Sequence, residues 1–403
     1  MVIVGHFLPS AVGTGGHHRS YQIAWDTRRV AGDRVVSLTW PMVKELRELN
    51  AALVGSVADD NVRLDDATLP YTIDRLRRAF RKVRGNWFQL LSPTRVVLSP
   101  WGEASLVDRY RALVAAARDR VVCIIEHPCF QALARLNREL GIPTVALFHN
   151  LESLDVGGPL DFNRRWTTWA RIGDLVTELG VLRLCDERLC ISAVEAGFVN
   201  GLGIPAKHYP YRPVGEVAAW LDRVRAQRAA RTASPSRRTQ LVMLGSAVHP
   251  STAKGFQWFV DGVARGGLPN GVEIDVVGAG TDRLSIGTNN SGPIRFRGWL
   301  TAGELESLLV SADAAVLPQR EGFGAVTRLP ELSAAGIPVI ASEHAAFAAG
   351  PVPGLRLVDD EWSSWRRAID DVQNGRLRYV AEARQDEDSV LQRTLGRMMG
   401  ADV

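Results

Sequence analysis

Short apolar runs alternate with amphipathic stretches along almost the whole chain, and the alternation is interrupted once. Val2–Gly5, Val35–Leu38, Val121–Glu126, Thr144–Phe148 and Arg188–Ser192 read as buried strands, with helical segments such as Glu103–Arg118 and Cys129–Leu140 between them. Strands apolar on both faces and separated by helices require a parallel sheet covered on both sides. Residues 209–238 then break the pattern, passing from YPYRP through a charged helix (Glu216–Arg231) to the polar TASPSRR. Such a shift in composition reads as a domain linker. Alternation resumes with Leu241–Leu244, Glu273–Val277, Ile294–Arg297, Ala314–Leu317 and Val339–Ala341, with Lys254–Ala264 and Ala302–Ser311 as helices between. The expected architecture is two α/β, doubly wound halves, 1–212 and 239–385, joined by a linker over 213–238. Residues 386–403 read as a closing helix, the end of a helical tail running from Ser364 to Met399. Two such halves facing one another make a cleft at the carboxyl ends of their strands, where α/β proteins bind ligands.

Composition narrows the class. At 403 residues the chain exceeds one typical domain, and 46% hydrophobic with 23% charged residues is an ordinary soluble composition. It contains no run of about 18 apolar residues, so no membrane-spanning helix is expected. The first strand starts at Val2, which leaves no room for a signal peptide, and a cytoplasmic location is expected. Cys123, Cys129, Cys185 and Cys190 sit in apolar contexts and read as small buried hydrophobes rather than disulfides or metal ligands. A net charge of +4 says little, but RLRRAFRKVR at 75–84 holds six basic side chains, and Trp87 and Phe88 follow. This segment reads either as a packed helix with a solvated basic face or as a docking element. As a docking element it would suit an anionic membrane surface or another polyanion, nucleic acid included.

Chemistry concentrates in AAVLPQREGFGAVTRLPELSAAGIPVIAS, from Ala314 to Ser342. It reads as a strand, a glycine-bearing loop at Glu321–Gly324, a helix start and a second strand. A loop between a buried strand and a helix offers backbone N–H groups to an anion, and Glu321 and Glu331 can accept hydrogen bonds from sugar hydroxyls. Phosphate donors beside polyol acceptors suit a ligand that is half phosphate and half sugar.

These residues resemble the donor site of retaining GT-B glycosyltransferases of family four (glycosyl transferases group 1). Four blocks carry the resemblance in order: LVMLGSAVHPSTAKGFQWFV, IDVVGAG, FRGWLTAGELESLLVSADAAVLP and ELSAAGIPVIAS, with Gly336 five residues beyond Glu331. The resemblance implies a GT-B fold of two Rossmann-like domains whose C-terminal tail crosses back to the first. It implies a donor site made by Gly245, Ser246, Gly278, Trp299, Gly322, Phe323, Gly324 and Glu331, with Glu331 on the nucleotide ribose and Glu321 facing the sugar. Two departures stand out. The family separates its two glutamates by seven residues, whereas nine lie between Glu321 and Glu331 here. Ser246 occupies the place of a family arginine, and Lys254 follows eight residues later. Lys254 is therefore the expected cation for the leaving diphosphate, with Arg320 or Arg328 as substitutes for the missing arginine.

In the first half, PSAVGTGGHHRS follows the opening strand. Its glycines let the backbone approach a ligand, and the resemblance places Gly15 and Gly16 against the donor. The same resemblance puts His149, at the end of TVALFHN, on the transferred sugar. His18, Glu126 and His127 are the acceptor-side candidates. The histidines are scattered, no Walker-type sequence occurs, and no metal or other cofactor is expected. The resemblance implies metal-independent, retaining transfer from a UDP- or GDP-linked sugar to an acceptor hydroxyl, for which a lipid-linked or polysaccharide precursor fits the basic segment. His149, Lys254 and Glu321 would act at the reacting centre. Modified bases in DNA are an alternative acceptor, and a sugar-nucleotide 2-epimerase or a non-catalytic nucleotide-sugar-binding protein are alternative functions.

Overall fold

The computed structural model describes residues 1–6, 9–11, 13, 15–39, 61–63, 108, 110–117, 120–155, 165–231, 238–284, 292–322, 324–348, 352–379 and 389–400. The basic segment 75–88 and Phe323 lie outside the described residues, as do residues 103–107, 109 and 118 of the expected helix Glu103–Arg118, which is helical over 110–116. The chain divides into two compact units, Met1–Tyr209 with Glu387–Val403, and Pro210–Asp386.

The first unit runs β1 (Val2–His6), α1 (Gly15–Ala31), β2 (Val35–Thr39), β3 (Asn61–Arg63), β4 (Val122–Ile125) and α2 (Gln131–Leu140). It continues with β5 (Thr144–Ala146), α3 (Glu152–Asp155), α4 (Arg165–Leu184), β6 (Glu187–Cys190), α5 (Ala193–Gly201) and β7 (Lys207–His208). The strands form one parallel sheet in the order β3-β2-β1-β4-β5-β6-β7. Order reverses between β1 and β4, and at such a switch point the following loops diverge and open a crevice. Core residues from the sheet (Val2, Val4, Val122, Ile124, Val145, Leu189) meet Ile23 of α1. The C-terminal helix Val390–Met399 packs on α1 and adds Leu391 and Leu395 to this core. Both are fully buried, each contributing about 1.5–3 kcal/mol. Ser389 and Gln392 close a reciprocal capping box at its start, and Gln392 Nε2 donates to Asp26 Oδ1 at 3.2 Å. Cys123, Cys185 and Cys190 are buried free thiols; the Cys129 side chain is outside the described residues.

The second unit opens with α6 (Gly215–Ala230), the charged helix expected over Glu216–Arg231, which belongs to this unit. Val217, Leu221 and Val224 recur at helical spacing and are buried, so a narrow apolar stripe docks this charged helix on its own unit. Its arginines cap the next layer: Arg228 Nη1 donates to Leu309 O at 2.6 Å, and Arg231 Nη2 to Asp313 Oδ1 at 2.5 Å. Then follow β8 (Thr239–Leu244), α7 (Pro250–Gly266), β9 (Val272–Val277), β10 (Ile294–Gly298), α8 (Ala302–Ser311) and β11 (Ala314–Leu317). The unit closes with α9 (Arg328–Ala334), β12 (Val339–Ser342), α10 (Glu343–Ala346), β13 (Leu355–Val358) and α11 (Trp362–Gln373). All six strands are parallel, in the order β10-β9-β8-β11-β12-β13, so the switch point falls between β8 and β11. Strand β13 is not among the strands expected from the sequence and lies just ahead of the helical tail expected from Ser364.

Candidate functional site

In the second unit the sequence-selected residues gather where the strands end. Backbone bonds tie the turns after β8, β9 and β10 together: Gly245 N–H donates to Val277 O (2.9 Å), Ala247 N–H to Ala279 O (2.8 Å) and Gly278 N–H to Gly298 O (2.8 Å). Gly278 has φ +132°, and a Cβ there would strike the Gly245 carbonyl oxygen. The fit is so close that only glycine serves at this crossing. Ser246, partly exposed, turns the chain into α7, its carbonyl accepting from His249 N–H at 3.1 Å. Trp299 follows Gly298 directly and leaves 61% of its surface open.

Across the switch point, the loop after β11 is built on side-chain bonds. Gln319 Nε2 donates to Glu321 O at 3.0 Å, Ser342 Oγ donates to Gln319 O, and His344 Nε2 donates to Gly322 O at 2.6 Å. Gly322 takes φ +105°. A Cβ on Gly255 would collide with the Pro318 carbonyl oxygen, so the start of α7 lies directly against this loop. That contact brings Lys254 Nζ to 2.6 Å from Glu321 Oε1, the lysine 61% exposed and the glutamate 18%. Two residues assigned to the reacting centre from sequence are thus an ion pair. Gly324 is partly exposed.

Glu331, in the first turn of α9, accepts a 2.7 Å hydrogen bond at Oε1 from the Tyr211 hydroxyl. Sequence reasoning missed Tyr211, because it lies in the YPYRP segment taken for the run into a linker, 120 positions from its partner. It also missed His344, two residues beyond the end of β12. Arg320 is engaged at the surface, donating to Asp360 Oδ2 at 2.8 Å, its guanidinium 4.8 Å from the Trp258 ring centre.

In the first unit a polar cluster occupies the carboxyl ends of β4 and β5. Glu126 is wholly buried, accepts from Ser20 Oγ at 2.5 Å, and lies 3.3 Å from His149 Nε2. Ser20 Oγ is 3.2 Å from the same nitrogen. Glu126, read from sequence as an acceptor-side group, therefore stands behind His149, whose side chain is 15% exposed. His127 is driven down to about 4, first by burial and then by His149, with Glu126 opposing. His17, buried, is likewise held near 4 by desolvation, with His18 and His149 adding to it. Both rings are neutral at neutral pH. His18 is partly exposed. Gly15 and Gly16 form the first turn of α1 rather than a loop before it. The sharp bend falls instead at Gly13 (φ +133°), where a Cβ would lie 2.7 Å from His17 Nδ1.

Among the described residues, no group of three or more His, Cys, Asp or Glu is placed to hold a metal, and no helix is long and apolar enough to cross a membrane.

Residues 238–373 match the sequence model of the family described as glycosyl transferases group 1. No match was found among curated proteins. The chain is similar to the UDP-forming α,α-trehalose-phosphate synthase of Burkholderia xenovorans solved with glucose-6-phosphate: 12% identity, 99% of each chain, TM-score 0.57. It is similar to Anabaena HepE in complex with UDP and glucose, at 11% identity over 98% of this chain and 95% of that one, TM-score 0.56. The α,α-trehalose 6-phosphate synthase of Burkholderia multivorans matches at 14% identity over 100% and 95%, TM-score 0.54. At these identities the likeness is one of fold.

Proposed function

We propose that the second unit, whose residues 238–373 match the glycosyl transferases group 1 model, serves a chain of GT-B fold that transfers a sugar from a nucleotide-diphosphate sugar to a hydroxyl of a sugar acceptor. One observation carries the reading: at the β8/β11 switch point, a glycine-lined turn, a Lys254–Glu321 pair and a tyrosine-held Glu331 converge on one strand edge. Glycine turns admit phosphates to backbone N–H groups, a lysine offsets diphosphate charge, and a carboxylate takes two vicinal hydroxyls. The complexes of Anabaena HepE with UDP, and the UDP-forming synthases, favour uridine as the donor base. GDP-linked sugar is the other donor to test.

In this reading the Glu331 carboxylate holds the ribose, and Trp299 offers its open indole to the base. Lys254 is released from Glu321 to the diphosphate when donor binds, and Glu321 is then free to accept from sugar hydroxyls. His149, held by Glu126 and Ser20, is assigned to the sugar. The departing phosphate takes the acceptor proton as the glycosidic bond breaks, so attack comes from the same face, the anomeric configuration is retained, and no metal or protein nucleophile is used. The protein contributes positioning and charge stabilisation.

The test is turnover of UDP-glucose and GDP-glucose with and without glucose-6-phosphate or other sugar acceptors, in EDTA, with products read by NMR. Acceptor-dependent release of nucleoside diphosphate with an α-linked product supports the proposal. An epimerised sugar nucleotide formed without acceptor, or a β-linked product, contradicts it. Glu331→Gln keeps an oxygen for the Tyr211 hydroxyl and removes the charge. It is expected to weaken nucleoside diphosphate binding by about tenfold or more, since hydrogen bonds to charged groups are worth about 1.5–3 kcal/mol.

A further inference from the structure

Arg328 stands where the geometry leaves one guanidinium at the diphosphate turn. It is the first residue of α9, yet its side chain reaches to the end of β8, where Nη1 donates to Leu244 O and Nη2 to Gln319 Oε1 at 3.3 Å. A Cβ on Gly245 would overlap Nη1 and lie 2.8 Å from Thr252 Cγ2. Position 245 is therefore glycine because a guanidinium fills the space beside it. The head lines a small cavity with Thr252, Phe256, Leu317, Pro318 and Gln319.

Its charge is poorly answered. Both acceptors are neutral, and among the described residues no carboxylate oxygen lies within 4 Å of it. Withdrawal from water pulls the group down to about 10, and only the more distant Glu331 works against this. A guanidinium carries five N–H donors in a rigid fork, of which two are used here. Charge drawn out of water without a counter-ion costs free energy that an arriving anion recovers. The other candidate, Arg320, is already bound to Asp360 and Trp258. Ser246, on the same turn as Gly245, offers no charge.

We propose that Arg328 supplies the second cation for the donor's diphosphate, beside Lys254, in place of a basic residue at position 246. The inference rests on the donor site proposed above and assigns the charge within it. The guanidinium reaches the phosphates across the switch point from α9, so phosphate recognition and the Glu331 carboxylate three residues later share one helix.

Calorimetric titration with UDP and with uridine separates charge recognition from general damage. In the wild type, UDP binds more tightly than uridine. Arg328→Met is expected to lower UDP affinity by about tenfold to a hundredfold and to leave uridine affinity within about twofold. Adding Ser246→Arg to that variant restores at least part of the UDP affinity. Should Arg328→Met fold poorly, Arg328→Lys retains a charge but loses the fork, and a smaller, UDP-selective loss is expected. Equal loss of UDP and uridine binding, or unchanged UDP binding in both variants, overturns the assignment of Arg328 while leaving the donor site in place. Failure of the wild type to bind any nucleoside diphosphate overturns the donor site and this inference with it.

Discussion

Replacing Tyr211 with phenylalanine deletes one hydroxyl from a side chain only 7% exposed, and the ring can stay where it is. What is lost is the 2.7 Å hydrogen bond to Glu331 Oε1. Bonds to an ionised acceptor contribute about 1.5–3 kcal/mol. In a unit of this size each kcal/mol moves the melting midpoint by roughly 2–4 °C, so the second unit should melt about 3–12 °C lower. The assay is differential scanning calorimetry at neutral pH on wild type, Tyr211→Phe, Glu331→Ala and the double variant. If the bond exists in solution, the two single effects do not add, and a coupling above about 0.5 kcal/mol appears in the cycle. A midpoint within 1 °C of wild type for Tyr211→Phe, together with additive effects, would refute the reasoning. Tyr211 would then not be what orients Glu331 before ligand arrives.

Other outcomes follow from the same geometry. Gly245→Ala puts a methyl into the Arg328 guanidinium and Thr252; it should cost about 1–3 kcal/mol in urea unfolding and weaken UDP binding. His17 is neutral in the folded protein with its value near 4 against 6.5 when unfolded. Between those values the unfolded chain binds more protons, so stability is fully present above about pH 6.5 and falls as pH drops toward 4. The loss amounts to as much as about 3 kcal/mol, and His17→Gln should flatten that part of a stability–pH profile. Glu126→Gln keeps an acceptor for Ser20 and removes the charge beside His149; steady-state kinetics should show kcat reduced by about tenfold or more, with UDP affinity unchanged.

Much of the fold is legible from residue types because parallel strands buried on both faces leave an unbroken apolar signature. AAVL of β11 and AGELESLLVS of α8 have the bounds their patterns suggest, the helix fixed by the Thr301–Glu304 capping box. The helix Gly215–Ala230 is legible within one residue, but its place in the second unit is not, since charged residues surround a stripe of three buried apolar positions and polar segments flank it. Strand β13 is four residues long with two of them exposed, too short for a pattern to show. At the candidate site, the glycines and strand-end residues are marked by position alone. Pairings are not: Tyr211 with Glu331, Arg328 with Leu244 and Ser20 with Glu126 join residues far apart in sequence, and only the packed sheet decides them. Glu126 shows the cost of reading position without burial, since a carboxylate at a strand end can face inward as readily as toward a ligand.

The central claim is a nucleoside diphosphate site in the second unit. Thermal stabilisation of the purified protein by UDP, GDP, TDP and ADP, each with and without EDTA, tests it most directly. A ligand present at about a hundred times its dissociation constant stabilises the folded state by roughly 2.7 kcal/mol. A clear shift with UDP, unchanged by EDTA and reduced in Glu331→Gln, is expected. No shift with any of the four nucleotides would contradict it.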